Sequence, residues 1–314
     1  MQEGQFIMTD PQQVNIHVYR WLPDNGTPPK GIVQIAHGMT EKACRYKRFA
    51  QALTQEGYIV YANDHRGHGK TAGHPDELGY VGKDGFEWMV KNMAQLNEHI
   101  RREHPGLPLF LFTHSMGSFL GQKYMYTYPD SIDGIILSGS DGKRGIELSF
   151  GIWAAGLLTR VRGDRHRSRW IDSMAFGSFN RKFKPSRTPL DWLSRDEAEV
   201  DRYIADPECG MVCTIGFYYD FFRLLQEIHR PDLMSRIPRD LPIFVISGED
   251  DPVGHHGKGI MQLLAMYRDL QLTEVQSKLY PGARHELLNE TIRDEVTGDI
   301  IQWLNQRLEY SSSS

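Results

Sequence analysis

Leu109-Phe110-Leu111-Phe112-Thr113-His114-Ser115-Met116-Gly117 is an apolar, β-prone run that stops abruptly at His-Ser-Met-Gly. Ser118-Phe119-Leu120-Gly121-Gln122-Lys123-Tyr124 follows at once, with small and apolar residues at helical spacing. The pattern predicts a strand, a sharp turn and a helix. A serine at such a turn sits in a strained backbone conformation, its hydroxyl lifted over the sheet edge at the start of the next helix. That is the mechanical content of the G-x-S-x-G nucleophile elbow. Thr113 stands where the first glycine of that pattern belongs, a crowded position because strand and helix pass close by; Gly117 keeps the second. Alone, so short a motif is weak. The rest of the chain must supply a base, an orienting acid and two oxyanion donors.

Outward from this turn the same alternation repeats. Val14, Ile16 and Val18 alternate with polar residues, as a half-exposed strand near a sheet edge does. Strands are predicted at Gly31–Ala36, Tyr58–Ala62, Gly134–Ser138, Leu241–Gly248 and Val275–Tyr280. Between them fall helical stripes around Tyr46–Leu53, Phe86–Ile100, Ile260–Tyr267 and Ile292–Leu308. The expectation is an α/β fold with a mostly parallel sheet flanked by helices. From about Gly142 to Arg236 the strands stop and helix formers and aromatics take over. We therefore expect one α/β core, residues 1–142 and 236–314, carrying a helical cap inserted at 143–235.

At 314 residues the chain can bury a full core, and its 24% charged and 40% hydrophobic residues are ordinary for a globular protein. A net charge of −4 gives no reason to expect nucleic acid. The first residues show no signal-peptide pattern, and no apolar run reaches the ~20 residues that span a bilayer. Cys44, Cys209 and Cys213 are odd in number and lack C-x-x-C spacing, which points to free thiols in a reducing, cytoplasmic setting. Cys209 and Cys213, four apart, are candidates to share a helix face, but two thiols do not make a metal site. Neither metal nor cofactor is expected, and no pattern addresses oligomeric state. Ser311–Ser314 reads as a tail.

Reactive groups of open α/β sheets gather at the carboxyl ends of strands. Ser115 follows one such end, Asp250 and Asp251 another, His285 the last, and His37-Gly38-Met39 the first core strand. A serine hydroxyl is too weak an acid to attack an ester unaided, so an imidazole must take its proton and a carboxylate must orient that imidazole. Ser115, Asp251, His285 stand in workable order. Asp251 is preferred to Asp250, which reads as a turn residue. His255 and His256 share the acid's loop, His65 and His68 brace a Gly-rich turn, and His114, beside the nucleophile, packs under the cap or hydrogen-bonds a neighbour. The amides of Met39 and Met116 are the candidate oxyanion donors.

With those residues in view, the chain resembles the monoacylglycerol lipase and lysophospholipase group of α/β-hydrolases, which overlaps with sequences labelled serine aminopeptidase. The resemblance rests on His37-Gly38-Met39-Thr40-Glu41 with Arg45-Tyr46, Asp64-His65-Arg66-Gly67-His68-Gly69, and His114-Ser115-Met116-Gly117. Gly248-Glu249-Asp250-Asp251-Pro252-Val253 and Gly282-Ala283-Arg284-His285-Glu286 complete it. It implies Ser115 as nucleophile, Asp251 as acid, His285 as base, Met39 and Met116 as oxyanion donors, and a small acyl ester as substrate. Thr113, and Lys70-Thr71 where a serine is frequent, depart from the pattern.

Three functions remain open: an esterase for medium or long acyl chains, an aminopeptidase on the same triad, and a binding protein that keeps the triad without useful turnover. Dehalogenase and epoxide hydrolase chemistry need a carboxylate where Ser115 stands. Asp196, Glu197, Glu199 and Asp201 read as a solvated helix face, or as an anchor for a substrate's amino terminus. Ser149–Leu158 is apolar, and Arg160, Arg162, Arg165, Arg167 and Arg169 follow. The pair reads either as a helix packed on the pocket beside a solvated basic loop, or as a peripheral contact with an anionic membrane.

Overall fold

The computed structural model describes residues 1–311 apart from Asn25 and Thr27; Ser312–Ser314 of the expected tail lie outside the described residues. Its centre is an eight-stranded sheet of order β1-β2-β4-β3-β5-β6-β7-β8. The strands are β1 (Gln2–Thr9), β2 (Asn15–Leu22), β3 (Gly31–Ala36), β4 (Tyr58–Asn63), β5 (Leu109–His114), β6 (Gly134–Ser138), β7 (Ile243–Gly248) and β8 (Val275–Tyr280). From β4 to β8 every pairing is parallel. β1 and β2 form an antiparallel hairpin on one edge. The hairpin turns where Oδ1 of Asp10 accepts the amides of Gln12 and Val14. β1 has no counterpart in the sequence reading, which begins at Val14.

Every residue of β3 to β7 is buried, because helices cover both faces. On one face lie α1 (Lys47–Gln55) and α10 (Arg293–Ser311), which pack Phe49, Leu53, Ile300 and Trp303 against Phe110, Phe112 and Phe244. On the other lie α2 (Gly85–Glu103) and α3 (Met116–Thr127), joined by a helix of residues 258–269, in a larger core with Met93, Leu111 and Leu120.

Between β6 and β7 the chain is helical: α4 (Ile146–Arg162), α5 (Arg169–Phe176), α6 (Glu197–Ala205), α7 (Ile215–Glu227) and α8 (Pro231–Met234). The helix of residues 258–269 is therefore α9. The one β feature in this insertion is an isolated bridge between Arg167 and Thr214. Two expectations here need correction. Cys209 and Cys213 do not share a helix; they lie in the irregular link between α6 and α7. Glu199 is not solvated but buried, because Arg48 and Arg202 bind its carboxylate.

Candidate active site

Ser115 sits between β5 and α3 at φ 53°, ψ −120°, a conformation costly for any residue with a Cβ. Close packing holds it there. A Cβ on Gly117 would overlap the carbonyls of Ala36 and His37, so only glycine lets α3 begin this near β3. Thr113 fits because Gly121 faces it from α3: a Cβ on Gly121 would lie 2.9 Å from Thr113 Cγ2. The Thr113 hydroxyl donates to Ile136 O at 2.7 Å, so its polar atom is satisfied inside the sheet.

His285 follows β8 and Asp251 follows β7, and the two meet: Nδ1–H of the imidazole donates to Asp251 Oδ2 at 2.9 Å. Asp251 Oδ1 accepts the Val253 amide at 2.8 Å, which fixes the carboxylate from its own loop. Both side chains are almost closed to solvent. Burial opposes charge on His285, but Asp251 outweighs it and the imidazole pKa is raised above 6.5. Trp192, from the insertion, lays its indole 5.1 Å from the His285 ring. Asp250 lies outside this pair and meets Lys182 near the surface.

A cavity of about 430 Å³ opens above these groups. Ser115, His285, Met39 and Met116 all line it, while Asp251 stands behind the imidazole. The amides of Met39 and Met116 have no hydrogen-bond partner among the described residues. Phe119, Leu148, Phe176, Phe221, Phe222 and Leu225 make the remainder of the wall largely apolar. The insertion supplies most of those side chains.

Beneath the Met39 loop is a polar layer. His37 Nδ1–H donates to Gly38 O at 2.8 Å, and His37 Nε2 accepts the His65 amide at 2.9 Å. The His65 and His68 rings pack against His37, with centroids at 4.3 and 5.2 Å. All three are held neutral by burial, His37 at about 4 and His68 at about 3. Beside them Arg45 binds Glu286 bidentately at 2.8 and 2.7 Å and Glu41 at 2.6 Å, and Glu41 accepts the Gly38 amide. The Glu41–Arg45–Glu286 bridge was not singled out for a role from sequence. His114 lies 4.7 Å from His285, ring to ring.

Asp196 pairs with Arg293, Glu199 with Arg48 and Arg202, Glu197 and Asp201 with Arg187; none of the four lines the cavity. Among the described residues no cluster of His, Cys, Asp or Glu could hold a metal.

A model of the family described as serine aminopeptidase, S33 matches residues 27–292. A monoacylglycerol lipase of Mycolicibacterium smegmatis is 29% identical over 291 residues, 92% of each chain. A monoglyceride lipase of Homo sapiens is 28% identical over 296 residues, 91% of this chain and 86% of that one. Among solved structures, a highly thermostable carboxyl esterase from Bacillus coagulans, in complex with glycerol, superposes with a TM-score of 0.90 at 29% identity. The match covers 98% of this chain and 99% of that one.

Proposed function

The chain belongs to the serine aminopeptidase S33 family of α/β-hydrolases, and from that premise we propose that Ser115, His285 and Asp251 act as nucleophile, base and acid of an acyl-enzyme mechanism. The protein is a carboxylic ester hydrolase of the lipase and esterase type. Its proposed substrates are esters with medium or long acyl chains, resembling monoacylglycerols or lysophospholipids.

The observation that carries this reading is one cavity lined by a strained serine, a carboxylate-backed imidazole and two unpaired amides. Ser115 Oγ attacks the acyl carbon while His285 Nε2, the nitrogen not engaged by Asp251, takes its proton. The Met39 and Met116 amides stabilise the alkoxide that develops. The proton then passes to the leaving alcohol, and water, activated by the same imidazole, frees the acid. The apolar wall suits an acyl chain. All four acidic candidates are tied to arginines and none lines the cavity, so none of them is placed to anchor a substrate's amine there.

The test is a series of p-nitrophenyl esters of increasing chain length beside an aminoacyl anilide. Ester turnover that Ser115→Ala abolishes supports the proposal. Faster turnover of the anilide sinks it in favour of a peptidase. Stoichiometric fluorophosphonate labelling without ester turnover sinks it in favour of a binding protein.

The helical insertion, residues 143–235, is proposed to act as a cap on the acyl pocket and as the face that meets lipid. α4 exposes Ile146, Phe150, Trp153, Leu157 and Val161, and α5 adds Trp170. Arg160, Arg162 and Arg169 lie beside them, whereas Arg167 is committed to the carbonyls of Val212 and Leu78. Among the described residues no helix is long and apolar enough to cross a membrane, so the proposed contact is peripheral. A cytoplasmic setting belongs to the same proposal, and three free thiols agree with it.

A further inference from the structure

Resting on the esterase reading above, we propose that Tyr203 of α6 is a positioning residue for the alkoxide-binding loop: its hydroxyl clamps Thr40 in the conformation that presents the Met39 amide. Thr40 has φ +54°, a left-handed backbone that a β-branched residue rarely adopts. Such a residue persists only where its surroundings over-determine it.

Three contacts do so here. Tyr203 Oη–H donates to Thr40 O at 2.8 Å. Tyr203 Oη also lies 2.8 Å from Thr40 Oγ1, whose hydroxyl donates to Met39 O at 2.8 Å. The Gly210 amide donates to Thr40 O at 2.9 Å. The loop next to the nucleophile is thus held from above by α6 and the chain just after it.

The clamp is itself braced. The Arg45 guanidinium, fixed between Glu41 and Glu286, sits 4.8 Å over the Tyr203 ring. Lys42, two residues past Thr40, pairs with Asp206 at 2.8 Å and Glu208 at 2.6 Å, just beyond α6. Arg48 and Arg293 pin Glu199 and Asp196 at the other end of the same helix. α4, by contrast, makes no ion pair with the core among the described residues. One part of the insertion is bolted to the sheet, and the bolt passes through the loop that must hold a donor still. Loss of an alkoxide donor costs ~10²- to 10³-fold in rate, so a donor left in place but unclamped should cost part of that.

The experiment compares wild type with Tyr203→Phe, which removes one oxygen. On p-nitrophenyl butyrate, kcat should fall roughly 10- to 100-fold while KM stays within about twofold, the signature of an interaction made in the transition state. Butylboronic acid, whose serine adduct places an oxygen where the alkoxide forms, should bind more weakly by a similar factor. Adding Thr40→Asn, because asparagine tolerates left-handed backbone, should restore much of kcat. Hydrogen exchange over residues 38–41 should quicken whatever the substrate.

If Tyr203→Phe leaves kcat, boronic acid affinity and exchange unchanged, the clamp is overturned. It is also overturned if the loss appears only with glyceryl esters, since Tyr203 then touches the leaving alcohol, or if Thr40→Asn rescues nothing. Should Tyr203→Phe not fold, Thr40→Val removes only Oγ1 and must lower kcat without raising KM. Wild-type protein that neither hydrolyses the ester nor labels at Ser115 would fail the esterase reading separately, and the exchange result would still decide the clamp.

Discussion

The imidazole of His285 is backed by the carboxylate of Asp251 at 2.9 Å, in a pocket where burial alone would strip the ring of its proton. As the proposed base, His285 must be neutral to accept the Ser115 proton, and its pKa is raised, so kcat/KM should rise with pH through a midpoint above 6.5. In Asp251→Asn burial is opposed only by the weaker pull of the Glu286 and Glu41 carboxylates. The midpoint should move down from its wild-type position, and the rate should fall by about 10⁴. Asp250→Asn should leave both nearly intact. A pH–rate profile on p-nitrophenyl butyrate for the three proteins checks this.

Thr113 and Gly121 should behave as a coupled pair. Gly121→Ala pushes a methyl into Thr113 Cγ2 and should cost about 1–3 kcal/mol of stability. Thr113→Ala loses the bond to Ile136 O, worth about 1 kcal/mol. The double variant removes the clash, so its loss in urea unfolding should be less than the sum of the singles.

Removing the Arg45 side chain strands two buried carboxylates, Glu41 and Glu286. Arg45→Ala should therefore destabilise by about 3–5 kcal/mol. Glu286, held well below the usual carboxylate range by Arg45 against the pull of burial, should then titrate higher. Unfolding curves at pH 5 and pH 8 would show the deficit shrinking at the lower pH, where the stranded carboxylates can protonate.

Acid should unfold the protein through its buried histidines. His37, His68 and His114 are lowered to about 4, 3 and 4 by burial, and His65 lies well below 6.5. The unfolded chain binds those protons near pH 6.5 and the folded chain does not, so stability is whole above 6.5 and drains as pH falls toward 4. Each contributes on the order of a few kcal/mol at the acid end. Asp64, pushed up to about 6 by burial, works the other way and offsets roughly one of them. The melting temperature should drop steeply between pH 6.5 and 4; a flat profile would refute this.

The lipid face should show itself with anionic vesicles. Wild type should co-sediment with them, less so as salt rises, and Phe150→Ala with Trp153→Ala should weaken binding without changing turnover of p-nitrophenyl acetate. Failure to bind at any salt concentration removes the peripheral contact.

The parallel sheet was legible because β3 to β7 read as largely apolar runs, and Ser115, Asp251 and His285 were candidates because each follows the carboxyl end of a strand. Spacing from Gly248 was the ground for preferring Asp251 to Asp250, and it is Asp251 that meets His285. β1 escaped notice since an edge strand of alternating exposure, Gln5-Phe6-Ile7-Met8, carries little hydrophobic signal, although Asp10-Pro11 marks its turn. The fit of Thr113 could not be foreseen because its partner, Gly121, sits two turns along a helix and matters only through packing. The clamp on Thr40 was invisible for the same reason: it joins residues 163 positions apart, and nothing in the local sequence marks a tyrosine as a fastener.

The nucleophile and both proposed alkoxide donors come from the first half of the chain, whereas the acid and the base sit on the loops after β7 and β8. A polypeptide whose translation halts before β8 carries the elbow serine without His285, the imidazole proposed to activate it. On the proposed roles, interrupted products are inert toward esters, and hydrolytic power arrives only when synthesis is almost complete.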